Sequence, residues 1–141
     1  MTIGAILASK GSDVLSVSST DRVSDAVAMF AEKRIGAVPV IDAGRVVGIF
    51  SERDVVYSLA RVGAAALDAI IADVMTAPAM TVDPDTAVMS GLSLMTKRRI
   101  RHLPVVRGDT VVGFISIGDL VKYRIDRIEA EAASLRDYSA S

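Results

Sequence analysis

Gly48-Ile49-Phe50-Ser51-Glu52-Arg53-Asp54 and Gly113-Phe114-Ile115-Ser116-Ile117-Gly118-Asp119 decide how this chain folds. In each segment an apolar strand runs directly into a helix, with a serine at the junction and an aspartate three residues later. Ser-x-x-Asp at such a junction is a helix N-cap with a capping-box partner, worth about 1 kcal/mol. The same geometry is also a ligand site. A helix start offers unpaired amide donors and the positive end of a dipole. The serine hydroxyl can donate to a phosphate, and the aspartate can accept from vicinal ribose hydroxyls. Capping boxes favour Glu or Gln at that third position, so Asp in both segments leans toward ligand binding. The two readings are compatible.

The two segments stand 65 residues apart, and the rest of the chain follows that offset. Val17 meets Val82, Val23 meets Val88, and Arg34-Ile35 meets Arg99-Ile100. Pro39-Val40 meets Pro104-Val105, and Val46-Val47-Gly48 meets Val111-Val112-Gly113. Upstream the register slips to 68, where Ile3-Gly4-Ala5-Ile6-Leu7 resembles Ile71-Ala72-Asp73-Val74-Met75. The first copy therefore carries three extra residues around Ser9 to Asp13. Two repeats are too few for an open solenoid. They fit a closed pair in which each copy covers the other's apolar face, with copy one at residues 1–64, copy two at 65–128 and an extension at 129–141.

Each copy reads helix, strand, helix, strand, strand, helix. A short strand ends near Val17 or Val82 and is followed by turn chemistry at Ser18-Ser19-Thr20-Asp21 or Asp83-Pro84-Asp85-Thr86. An amphipathic helix comes next, with Val23, Ala26, Val27 and Phe30 on one face in copy one and Val88, Leu92 and Met95 in copy two. Two strands joined by hairpin loops precede the Ser-x-x-Asp helix. The fold class is α/β of the α+β type, with a small three-stranded sheet and flanking helices in each copy.

Composition narrows the function. Half of the 141 residues are apolar, enough for a buried core. With 16 basic and 17 acidic residues the chain lacks the basic excess of a nucleic-acid binder. It has no cysteine and a single histidine, which excludes disulfides, a thiolate zinc site and a multi-histidine metal site. The N-terminal segment does not read as a signal peptide, no stretch reaches the length of a membrane span, and the expected location is cytoplasmic. No nucleophile–base pair or Walker-type loop is present, so no enzyme is expected.

A second signal is Arg34-Ile35-Gly36-Ala37-Val38-Pro39-Val40 and its echo Arg99-Ile100-Arg101-His102-Leu103-Pro104-Val105. Read structurally, these are strands entering the core with Pro at an edge or bulge. Read functionally, Ile35, Ala37, Val38, Ile100 and Leu103 face a base whose edge is met by backbone groups. The copies differ: Arg101 and His102 stand where copy one has Gly36 and Ala37. Arg101 is not dictated by the fold and can present its planar fork to a phosphate. Two unequal clefts are the expectation.

These residues resemble the CBS domain family, the cystathionine-β-synthase-type regulatory domain. The carriers are the doubled Gly-x-x-Ser-x-x-Asp, the doubled Pro-Val strand and the tandem arrangement, over about residues 1–128. The chain is similar to a stand-alone CBS pair, or Bateman module. The resemblance implies two repeats packed sheet against sheet with pseudo-twofold symmetry, leaving two clefts for AMP, ADP, ATP, S-adenosylmethionine or NAD-type ligands. It implies phosphate contact for Ser51 and Ser116, ribose contact for Asp54 and Asp119, and a hydroxyl near the base at Ser16 and Thr81. It also implies a disc-like homodimer.

Beyond Asp119, the residues Val121, Ile125, Ile128, Ala132 and Leu135 form a heptad seam on one helix, with Lys122–Asp126 and Arg127–Glu131 at ion-pair spacing. The seam fits a dimer contact through this helix or packing on the chain's own body. The function expected is an adenine-nucleotide sensor that signals to a partner protein, with no catalytic cofactor. The alternative is a structural dimerisation module with little ligand binding.

Overall fold

The computed structural model describes residues 1–11 and 13–140. The order of elements is α1 (Ile3–Lys10), α2 (Val23–Lys33), β1 (Ala37–Asp42), β2 (Arg45–Ser51), α3 (Glu52–Val62), a 3-10 helix (Gly63–Asp68), α4 (Ile71–Val74), α5 (Val88–Arg98), β3 (His102–Arg107), β4 (Thr110–Ser116) and α6 (Ile117–Ala140). β1 pairs antiparallel with β2, and β3 with β4, in matching registers: Ala37 faces Ser51 and His102 faces Ser116.

The third strand expected in each sheet is reduced to one residue. Val17 bridges Val40, and Val82 bridges Val105, both parallel. The Val17 amide donates to the Pro39 carbonyl at 3.2 Å and its carbonyl accepts from Ile41 at 2.8 Å. The ladder then stops because the chain turns at once. The Ser18 amide donates to the Asp21 carboxylate at 2.8 Å, and the Asp85 amide to the Asp83 carboxylate at 2.8 Å. These local side-chain bonds take donors that a longer strand would need.

Each copy has its own core, and the cores exchange their lead-in helices. Val17, Val23, Ala26, Phe30, Val38, Val40 and Phe50 of copy one are joined by Ile71 of α4. Val82, Val88, Met95, Leu103, Val105, Ile115 and Leu120 of copy two are joined by Ile3, Ile6 and Leu7 of α1. Ile3 and Ile71 are fully buried, each worth about 1.5–3 kcal/mol. Backbone bonds fix the exchange. The first amides of α1 donate to the Pro84 and Thr86 carbonyls at 2.8 and 2.9 Å, and those of α4 to Asp21 and Ser19 at 2.8 and 2.9 Å. Each lead-in helix thus has its free N-terminal donors satisfied by the turn of the other copy.

The glycines of the two strand–helix segments serve this exchange. A Cβ at Gly113 would stand 2.5 Å from Leu7 Cδ2, and one at Gly48 would stand 2.8 Å from Met75 Sδ and 2.9 Å from the Thr76 carbonyl oxygen. Thr76 is held there by paired backbone bonds to Ile49, both 2.9 Å.

α6 runs 24 residues, and its seam is not covered by the chain's own body: Ile125 and Ile128 are 48% exposed and Leu135 68%. Among the described residues neither Lys122–Asp126 nor Arg127–Glu131 closes into an ion pair. Such exposed pairs contribute little, and the helix does not depend on them.

Gly48→Ala meets a backbone carbonyl, whereas Gly113→Ala meets the end of a leucine side chain that can rotate. Gly48→Ala should therefore lower stability by about 1–3 kcal/mol, the range of overpacking, and Gly113→Ala by less. Chemical denaturation of both variants checks the order; equal, negligible losses would show that the glycines do not hold the lead-in segments.

Candidate functional site

The strand-to-helix junction of copy one builds its own capping network. The Ser51 amide and hydroxyl donate to Asp54 Oδ2 at 2.9 and 3.1 Å, and the Asp54 amide donates back to Ser51 Oγ at 3.4 Å. Both halves of the capping box are present. The other carboxylate oxygen, Asp54 Oδ1, accepts from the Thr76 hydroxyl at 3.0 Å. Thr76 reaches it because its backbone is pinned to Ile49 in β2.

This junction forms one wall of a cavity of about 620 Å³ between the copies. Gly36, Ala37, Ile49, Ser51, Arg53 and Asp54 come from copy one; Arg98, Arg99, Ile100, Arg101 and His102 come from copy two. The four arginines stand against only Glu52 and Asp54, so the walls carry a net positive charge. Among the described residues, none of the four makes an ion pair. Arg99 ends α5 in the left-handed conformation with φ 55° and ψ 43°, which lets the Ile100 amide donate to the Met95 carbonyl at 3.0 Å. Arg34 does the same at the end of α2, with φ 55° and ψ 47°. That conformation favours glycine, so an arginine at each place is held there at a cost.

His102 stacks on Phe114, with ring centroids 5.4 Å apart and planes 11° from parallel. Burial, the largest influence, pushes its pKa below the ordinary imidazole value; Asp119 pulls it up, and Lys10 and Arg101 push it down. The net effect is a lowered pKa, which favours the neutral ring.

Copy two repeats the capping box with different neighbours. The Ser116 amide donates to Asp119 Oδ2 at 2.8 Å, and the Asp119 amide donates to Ser116 Oγ at 3.1 Å. At the place of Thr76 the lead-in helix carries Ala8. Lys10, in the last turn of α1, reaches the carboxylate instead, with Nζ 2.6 Å from Asp119 Oδ2 and 2.8 Å from the Phe114 carbonyl. Burial raises the Asp119 pKa, but the Lys10 hydrogen bond and charge and the Ser116 amide outweigh it and hold the carboxyl below its usual value.

Of the residues singled out in the sequence, the structure gathers Ala37, Ser51, Asp54, Ile100, Arg101 and His102 around the cavity. Arg101 and His102 line this cavity with the copy-one serine and aspartate, and they also adjoin the copy-two junction, where His102 pairs with Ser116 and the Arg101 carbonyl accepts from the Ile117 amide at 2.8 Å. Val38 and Leu103, 1% and 0% exposed, are in the two cores, and Ile35 packs partly buried on the first. Ser16 and Thr81 adjoin the single-residue bridges at Val17 and Val82 and are not among the cavity walls. Thr76, Arg53, Arg98 and Arg99 are wall residues that the motif reading did not single out. A signal for Thr76 was present in the 68-residue match of the lead-in helices, where a hydroxyl follows Met75 but only Ala8 follows Leu7. Among the described residues there is no cluster suited to a metal ion, and no helix is long and apolar enough to cross a membrane.

Comparison with known proteins agrees with this architecture. A CBS domain protein, CBSX3 of Arabidopsis thaliana, described as mitochondrial, is 32% identical over 97% of this chain and 71% of its own length. The crystal structure of the CBS-domain protein ATU1752 from Agrobacterium tumefaciens superposes with a TM-score of 0.83 at 37% identity, covering 87% of this chain and 92% of that one. The CBS domain pair of protein MJ0100, solved in complex with 5′-methylthioadenosine and S-adenosyl-L-methionine, shares the fold with a TM-score of 0.79 at 23% identity, covering 90% and 98%. The CBS domain itself matches twice, at residues 5–61 and 71–126. With the doubled strand–helix segment, two antiparallel hairpins and two matched domains, this chain belongs to the CBS domain family as a tandem pair.

Proposed function

We propose that this chain is a regulatory module that binds an adenine nucleotide in the cavity between its repeats and passes its occupancy to a partner protein. One observation carries the reading: Asp54 stands at a helix start on one wall, and four arginines without ion-pair partners among the described residues line the same cavity. A carboxylate at that place accepts from ribose hydroxyls, and the arginines offer forked donors to phosphate. Ile49, Ile100 and Ala37 supply apolar surface for a flat base. The cavity volume lies within the range of small-molecule sites, about 300–1,000 Å³. The arginines favour phosphorylated ligands such as AMP, ADP, ATP or NAD over S-adenosylmethionine. The MJ0100 complex bears on the fold alone at its 23% identity, so the ligand class rests on the residues of this chain.

A ligand at 100 times its dissociation constant adds about 2.7 kcal/mol to stability. A thermal-shift panel of AMP, ADP, ATP and NAD at millimolar concentration is expected to raise the melting temperature; no shift with any of them would remove the nucleotide reading.

Ribose and phosphate contacts separate by mutation. A hydrogen bond to a charged group is worth about 1.5–3 kcal/mol, or roughly 10- to 150-fold in affinity. Asp54→Asn should weaken AMP and adenosine alike by at least about tenfold, while the apo fold, still capped, changes by less than about 0.5 kcal/mol. Arg101→Ala should weaken AMP and spare adenosine. Calorimetric titration of both ligands decides it. Unchanged affinity with a lowered apo midpoint would make Asp54 a cap only, and equal losses for both ligands would remove Arg101 from the phosphate.

Arg99 offers a further check. Arg99→Gly relieves the left-handed backbone and should raise apo stability by about 0.5–1 kcal/mol, while weakening a phosphorylated ligand. A variant both more stable and equally tight would show that Arg99 has no part in binding.

The exposed seam of α6 supports a homodimer that uses this helix alongside the CBS helices. Truncation after Tyr123 removes Ile125, Ile128, Ala132 and Leu135 and should lower the oligomeric state seen by light scattering; an unchanged state would place the dimer contact elsewhere.

A further inference from the structure

The two capping aspartates are used differently, and the difference is built into the chain. Among the described residues, Asp54 Oδ1 meets only the neutral Thr76 hydroxyl, and Asp54 borders an open cavity. Asp119 holds the ammonium of Lys10 at 2.6 Å. A second bond from the same ammonium to the Phe114 carbonyl at 2.8 Å pins the lysine between the β4 backbone and the start of α6. This is a charge-assisted contact, about twice as strong as a neutral hydrogen bond, with the two side chains 41% and 26% exposed. The lysine sits at the end of α1, where the helix dipole favours a cation. Ala8 stands at the sequence place of Thr76 and has no hydroxyl to offer. Arg101 and His102 line the Asp54 cavity together with Gly36 and Ala37.

We propose that Lys10 takes the place of a ligand at the copy-two junction: it neutralises Asp119 where a ribose would bind, so each chain takes one nucleotide, at Asp54, and Lys10 determines which junction is used. This rests on the nucleotide reading of the cavity. A ribose diol arriving at Asp119 must displace a cation that is tethered to the same chain and therefore always present at the site. At Asp54 it displaces only a threonine hydroxyl. The exchange of lead-in helices makes the device possible, because α1 belongs to the core of copy two and delivers its last turn to the copy-two aspartate.

The test is titration calorimetry of AMP, and separately of ATP, into the wild-type chain, Lys10→Met and Lys10→Gln, with denaturation midpoints to confirm folding. Wild type is expected to bind one equivalent per chain. Both variants should bind a second equivalent, which the further change Asp119→Asn should weaken by about tenfold or more while leaving the first site intact. Two equivalents in the wild type, or one equivalent in both folded lysine variants, would overturn the inference and leave the nucleotide reading standing. Weaker binding in both variants would also overturn it, by making Lys10 a ligand contact. Absence of binding in every protein would remove the nucleotide reading and this inference together.

Discussion

A lead-in segment lies against each strand at the one place where a side chain is missing. Leu7 fills the notch at Gly113, and Met75 with the Thr76 backbone fills the notch at Gly48. Since each segment precedes one copy and packs on the other, the two cores cannot form independently: Ile71 completes the first and Ile3, Ile6 and Leu7 complete the second. The close approach also carries polar consequences. Thr76 comes to Asp54 only because Ile49 pairs with it, and Lys10 comes to Asp119 only because α1 lies along the second core. The same packing that closes the hydrophobic cores thus sets the electrostatics of both capping aspartates.

That shared origin explains how a nearly symmetric scaffold yields unlike junctions. The backbone of the second copy follows the first closely: the hairpin registers match, both α2 and α5 end in a left-handed arginine, and both junctions form a capping box. The divergence lies in side chains that the fold does not dictate. Gly36 against Arg101, Ala37 against His102 and Ala8 against Thr76 are such positions: Arg101, His102 and Thr76 line the Asp54 cavity, while Lys10 reaches Asp119. His102 links them: it lines the first cavity, stacks on Phe114 and feels the charges of Asp119 and Lys10.

The repeat made most of the fold legible. Ungapped identity at Gly, Pro, Ser and Asp positions gave the element order and the strand–helix junctions, because those residues have narrow backbone roles. The third strand of each sheet is shorter than the strand propensity of Val17 and Val82 suggests, because the Asx turns that follow claim the donors a ladder would need. The exchange of α1 and α4 was not legible, since a 68-residue offset says that two helices are alike without saying which core each joins. For the same reason sequence position alone does not show that Arg101, of copy two, lines a cavity with Ser51 and Asp54 of copy one. Ser16 and Thr81 follow from the family resemblance alone, whereas Thr76, five residues before Thr81, places its hydroxyl on Asp54.

The central claim is that the nucleotide lies between the Asp54 junction and the arginine-rich end of α5. Amide chemical-shift mapping during an AMP titration tests this directly, because each wall has its own backbone reporters. Saturable shifts are expected at Ser51 to Asp54, at Thr76 and at Arg98 to His102, with Ser116 to Asp119 affected much less. Shifts confined to Ser116 to Asp119, or none at any of these amides at millimolar AMP, would contradict it.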